Sequence, residues 1–163
     1  TRVGIRRQRQ MCIRDRYGAE MDDAAIAHGC EHEIVELHRF FTEWFHGTVP
    51  ETDEAWSRVT NVLGPDFVLV SPDGHRLERG PLLDGIRARH GGHGPTQDFE
   101  IWIRNLACRP VSAELVLATY EEWQRREGEE CGRISTALFA LDRQTPNGVR
   151  WLHVHETWLP GAE

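Results

Sequence analysis

The residues best suited to chemistry lie near the C-terminus, in Arg150-Trp-Leu-His-Val-His-Glu-Thr-Trp-Leu159, where two histidines and two tryptophans interrupt what otherwise reads as buried strand. Side chains on a strand alternate faces. Trp151, His153, His155 and Thr157 are therefore expected on one side and Leu152, Val154, Glu156 and Trp158 on the other. Imidazoles titrate near neutrality, so His153 and His155 are the candidate catalytic residues for acid–base work. The same pair could offer two ligands to a metal, but no second metal motif accompanies it and no metal is expected. The plainer alternative is two histidines hydrogen-bonded on a pocket wall or at a dimer face.

Further polar groups stand inside strand-like runs, where burial would require a partner or a cavity. Tyr120 and Glu122 share a face, as do Glu121 and Trp123, Arg133 and Ser135, and Trp102 and Arg104. An arginine among aromatics suits a carboxylate or other anion, because its planar fork binds in a bidentate way. The candidate ligand-binding residues are thus Tyr120, Glu122, Trp123, Arg133, Trp102, Arg104 and Trp151, with Arg133 favoured over Arg104. An Arg–Glu pair spanning strands at the sheet surface is the competing reading. Six tryptophans exceed what a core this size needs, so some should line a pocket or a partner surface, while Trp56 should be ordinary core. His28, Cys30 and His32 fit a solvated helix face, and Asp66, Asp73 and Arg79 fit turn and surface positions.

The elements that must position these groups follow from periodicity. Asp22 or Asp23 can cap a helix with Ile26, Cys30, Ile34, Leu37, Phe41 and Trp44 on one face, closing at Gly47. Thr52 or Asp53 caps a shorter helix carrying Trp56, Val59 and Leu63, stopped by Gly64-Pro65. Asp66 to Ser71, a Pro72-Asp-Gly74 turn and His75 to Arg79 form a hairpin. Pro81 opens a third helix, Leu82 to His90, which Gly91-Gly92 ends, and Gly91 to Pro95 is expected to be a mobile loop. Four long strands follow, 97–109, 114–126, 133–142 and 149–159, joined as an antiparallel meander by a turn at Pro110, a polar loop over 127–132 and an Asn147-Gly148 hairpin signal.

Composition excludes several function classes. All 19 basic residues are arginine, so Schiff-base lysine chemistry, P-loop enzymes and protein kinases drop out. From Met21 onward 13 Arg face 24 Asp plus Glu, a balance that disfavours nucleic acid. No cofactor and no membrane partner is expected, since no apolar run approaches a membrane span and no signal segment stands out. The expected location is cytoplasmic. Cys12, Cys30, Cys108 and Cys131 contain no C-x-x-C pair and read as reduced, structural thiols. Residues 1–17 are arginine-rich without amphipathic period, and Met11-Cys-Ile-Arg-Asp-Arg16 resembles translated sequencing-adapter sequence. The expected organisation is a disordered or artefactual leader over 1–20 and a single domain over 21–163, starting naturally at Met21.

The order helix, helix, hairpin, helix, then four long strands resembles the nuclear transport factor 2-like (SnoaL-like) superfamily. Within it, Gly64-Pro-Asp-Phe-Val-Leu-Val-Ser-Pro-Asp-Gly74, Tyr120-Glu-Glu-Trp123, Arg133-Ile-Ser-Thr-Ala137 and Trp151-Leu-His-Val-His155 look most like the bacterial domain-of-unknown-function family 4440, over roughly Glu31 to Pro160. The resemblance implies an α+β cone of three helices on a strongly curved, mostly antiparallel six-stranded sheet. It also implies a conical pocket for a small-molecule ligand at the concave face and often a homodimer built through the sheet. Steroid-isomerase chemistry is not expected: Ser71 precedes Pro72 where that chemistry wants an Asp base, and Phe40, Phe41 and Trp44 stand where it wants a Tyr. The superfamily holds enzymes and plain binding domains alike, so three readings stay open: a ligand-binding domain, an acid–base enzyme using a strand histidine, and a ligand-free dimerisation module.

Overall fold

The computed structural model of the chain describes residues 23–161. The arginine-rich leader, Cys12, Met21 and Asp22 lie outside the described residues. Helix α1 (Asp23–His46) is followed by α2 (Asp53–Thr60), strand β1 (Leu63–Val70), β2 (Arg76–Glu78) and α3 (Arg79–Arg87). Four long strands come next: β3 (Phe99–Pro110), β4 (Leu115–Arg126), β5 (Glu129–Leu141) and β6 (Val149–Trp158). They form one six-stranded sheet in the order β2-β1-β6-β5-β4-β3, antiparallel except where β1 runs parallel to β6.

Helix α1 forms because its apolar residues recur at three- and four-residue steps, burying Ile26, Cys30, Ile34, Leu37, Phe40 and Trp44 against the sheet. Gly47 ends it at φ 71° with paired backbone bonds, Thr48 N–H to Glu43 O at 3.0 Å and Gly47 N–H to Trp44 O at 3.0 Å. This is the reciprocal closure that a left-handed glycine permits. Thr52 caps α2 by accepting the Ala55 N–H at 3.2 Å. Among the described residues, Cys30, Cys108 and Cys131 are free thiols, with Cys30 Sγ 3.0 Å from Cys108 Sγ between α1 and β3.

Three boundaries differ from the pattern-based expectation. Leu63 belongs to β1 rather than to α2, pairing with Trp151. At the neighbouring Gly64 a Cβ would stand 3.0 Å from Trp151 O, so glycine serves close strand approach there and does not act as a helix stop. The expected polar loop over 127–132 shrinks to Glu127-Gly128, both at positive φ (53° and 85°), because Arg126 pairs directly with Glu129. Two left-handed residues are what a two-residue hairpin turn needs to match strand twist. Helix α3 begins at Arg79, ahead of Pro81. The loop expected to be mobile is tied to the end of α1: Gly91 N–H bonds Trp44 O and His93 N–H bonds Phe45 O, both at 3.0 Å. His46 Nδ1 and Nε2 face Gly94 O at 2.6 Å and Phe99 O at 2.8 Å.

One hub joins four elements. Glu33, fully buried in α1, accepts two 3.0 Å bonds from Arg58 of α2, one of 2.9 Å from Asn147 Nδ2 and one of 3.2 Å from Trp151 Nε1 of β6. Beside it, a Cβ on Gly29 would meet Asn147 O at 2.5 Å, so mid-helix glycine lets the 142–148 loop press onto α1.

Candidate functional site

Between the helices and the inner sheet face lies a cavity of about 300 Å³. Its apolar wall includes Leu37, Phe41, Phe45, Phe67, Leu69 and Ile86, contributed by α1, β1 and α3. Its polar floor is built by the central strands, where inward positions of β4, β5 and β6 bring Tyr120, Glu122, Arg133 and Glu156 together.

His38 reaches this floor from α1, on the same stripe as Ile34, Leu37 and Phe41. Its Nδ1 lies 2.6 Å from Ile34 O, which fixes a proton on that nitrogen. Nε2 lies 3.1 Å from Glu122 Oε2. A lone pair facing a carboxylate would repel it, so the ring fits its doubly protonated, cationic form. Burial opposes that charge, but the Glu122 carboxylate and the Ile34 carbonyl together hold the His38 pKa above its ordinary value.

Glu122 also accepts a bond from Gln124 Nε2 at 2.8 Å and a short one from Arg133 Nη2. Burial would raise its pKa, yet Arg133 and His38 outweigh burial and hold it well below the usual carboxylate range. Glu156 is different. Burial, opposed by Arg133 and reinforced by the Glu122 charge, pushes its carboxyl up to about 7. Arg133 Nε is 3.3 Å from Glu156 Oε1 but out of hydrogen-bond alignment, leaving a buried donor without a bonded partner. Ser135 Oγ stands 3.5 Å from the same Glu156 oxygen. Tyr120 is fully buried, and burial raises its pKa well above the ordinary tyrosine value, so it is neutral. The floor therefore holds a fixed carboxylate, two cations and one carboxyl able to gain or lose a proton near neutrality.

Of the residues singled out in the sequence, Tyr120, Glu122, Arg133 and Trp151 line this cavity. Trp102, Arg104, Trp123, His153 and His155 stand on the other side of the sheet. Strict alternation placed Trp151 with the two histidines, and the structure separates them. Phe139 pairs with Trp151 while Leu138 pairs with His153, so Leu152 is an extra residue in β6 and shifts the strand's phase. Trp151 turns inward onto Phe139, ring centroids 4.4 Å apart, and His153 and His155 turn outward beside Val68 and Val70 of β1. On the same outer face Trp102 and Trp123 pair across strands with rings 6.4 Å apart, and Arg104 lies 5.5 and 5.1 Å over them. Gly132 makes room for this, since a Cβ there would meet the Trp123 ring at 3.0 Å. Arg133 is not a free anion receptor, because two carboxylates already face it.

Sequence reasoning missed His38, Gln124 and Glu156 as site residues. A histidine inside the apolar stripe of α1 was the available signal for the first. For Glu156 the signal was its shared face with Val154, read without knowing which face turns inward. Among the described residues, no group of three or more His, Cys, Asp or Glu side chains is placed to hold a metal ion. No helix among them is long and apolar enough to cross a membrane.

The architecture is that of nuclear transport factor 2-like proteins. A protein of that kind and of unknown function from Pseudomonas aeruginosa superposes with a TM-score of 0.70 at 21% identity, covering 80% of this chain and 98% of that one. The CaMKII hub of S. rosetta superposes at 0.62 with 12% identity, covering 82% and 96%. More specifically, the chain belongs to the sucrose-6-phosphate phosphohydrolase C-terminal family, which it matches over residues 30–160. That family is a different one from the domain-of-unknown-function family 4440 that the strand motifs resemble. Sucrose-phosphatases 1 and 2 of Nicotiana tabacum are 29% and 26% identical over 132 residues, which is 80% of this chain. The matched segment spans 31% of the length of each.

Proposed function

We propose that the chain is a small-molecule-binding domain that takes a partly apolar, hydrogen-bonding ligand in the cavity and pairs with a second copy through the outer sheet face. The observation that carries the binding reading is the cavity itself, an aromatic and aliphatic wall over a floor that sets the polar side chains of Tyr120, Glu122, Arg133 and Glu156 side by side. Tyr120, Glu122, Arg133 and Trp151 are the lining residues this reading uses. His153 and His155, with Trp102, Arg104 and Trp123, belong to the face offered to the second copy. The hub-domain likeness is in keeping with self-association.

Native mass spectrometry of the purified chain, set against its denatured mass, tests the reading: a dimer carrying extra mass is expected, and a bare dimer favours the dimerisation module. Titration calorimetry with sucrose, suggested by the names of the tobacco relatives, is the first directed trial. Replacing Leu69 with Trp fills the cavity wall and should abolish uptake of whatever the wild type binds. Unchanged binding in that variant rejects the cavity as the site.

A second reading is acid–base catalysis such as dehydration, isomerisation or hydrolysis. Glu156 favours it, because a carboxyl on the cavity wall near 7 can both give and take a proton at neutral pH. A pH–rate profile governed by that group and lost in Glu156→Gln is expected. A profile that survives Glu156→Gln and vanishes with His153 or His155 would move the chemistry to the outer face.

A further inference from the structure

The rim of the cavity differs in charge from its floor. Arg89, His93 and Arg126 all line the cavity, Arg89 and Arg126 with exposed side chains, so they frame its opening. Among the described residues several arginines are matched to carboxylates: Arg39 to Glu43, Arg58 to Glu33, Arg87 to Asp53, Arg125 to Asp98 and Glu100, Arg133 to Glu122 and Arg150 to Asp142. The two rim arginines are not. Arg89 bonds only a backbone oxygen, Gly85 O at 3.2 Å, and lies 5.7 Å over the Phe45 ring. Arg126 lies 6.0 Å over Phe99, with no acid of the described residues in ion-pair reach. Those two rings are themselves in edge contact at 5.8 Å, and His93 stacks flat on Phe99 at 4.0 Å.

Each guanidinium therefore lies over one ring of the Phe45–Phe99 pair, which orients it while leaving its terminal N–H groups available. Burial first, then the nearby positive charges of Arg126 and Arg89, hold the His93 pKa below its ordinary value. Uncompensated like charges held together at a cavity opening favour an anion there. On the floor, by contrast, His38 stands directly beside the carboxyl group of Glu122 and Arg133 beside those of Glu122 and Glu156.

We infer that the ligand is a small organic oxyanion, a carboxylate or phosphate whose charged group is clamped by Arg89 and Arg126 at the rim while its apolar body enters the cavity. This rests on the binding reading above and specifies its ligand class. The test is calorimetric titration of the full chain with phenyl phosphate, benzoate and benzyl alcohol, which share an aromatic body and differ in charge. The wild type should bind at least one of the two anions at least tenfold more tightly than the alcohol. The R89Q/R126Q double variant should lose that advantage with alcohol binding unchanged, whereas R76Q/R109Q, an equal loss of two charges on the outer face, should keep it. Preference for benzoate assigns the group to a carboxylate and preference for phenyl phosphate to a phosphate; either supports the inference. Alcohol bound as tightly as both anions, or an advantage that survives the double variant, overturns the clamp and leaves the cavity reading standing. Binding of none of the three overturns both.

Discussion

Glu156 and His38 make the site's response to pH readable. The Glu156 carboxyl, raised from about 4.5 to about 7, binds its proton more tightly in the folded chain than in the unfolded one. The stability it confers is full below about 4.5 and is lost as pH rises through about 7. His38, also raised, contributes in the same direction: its stabilisation is present below its ordinary value and fades as pH climbs through the higher folded one. Thermal melts at pH 5 and pH 8 should therefore show the wild type less stable at the higher pH. In Glu156→Gln the drop should be smaller, with the remainder belonging to His38. Equal drops in both proteins would mean that Glu156 is not held protonated by its surroundings.

At the scale of elements, Glu33 locks α1, α2, β6 and the 142–148 loop around one buried carboxylate. Glu33→Ala leaves Arg58 and the Trp151 indole N–H without their acceptor, which should cost about 3–5 kcal/mol. For a chain of this length that corresponds to a fall in Tm of roughly 10 °C, checked by calorimetry. A fall of one or two degrees would show that water replaces the carboxylate without penalty. Neither Glu33 nor Gly29 stood out in the sequence, because an acid and a glycine within a helical period read as solvated and neutral positions until the packed loop is known. The elements themselves were legible: caps at Thr52, the three- and four-step stripe of α1 and the alternation in β4 and β5 are local signals that the structure keeps. The site was legible in half. Tyr120, Glu122 and Arg133 lie on strands whose alternation runs unbroken, and pairing of β4 with β5 continues in register from Leu115 to Arg126. His153 and His155 were misplaced relative to Trp151 because an inserted residue is a property of the pairing of two strands and leaves no mark in either alone.

The whole molecule presents a cavity on one side of its sheet and a partly apolar surface on the other. Ile134, 45% exposed, pairs on that surface with Glu121 on one side and Thr157 on the other, with the Trp102–Arg104–Trp123 stack on the same face. A second acid beside Glu121 should split the proposed pair of copies joined there, so light scattering is expected to give a dimer for the wild type and a monomer for Ile134→Glu. An unchanged mass for the variant would place self-association elsewhere. Because the substitution faces away from the cavity, ligand uptake should survive it.

The extra residue at Leu152 gives β6 two phases, one before it and one after. An alignment of relatives that slides past this position by a single residue would exchange every inner side chain of the following segment for an outer one. Loss of Leu152 would leave Trp151 inward and His153 outward in plain alternation, so removing that one codon would straighten the strand and keep Val154 and Glu156 on the cavity wall.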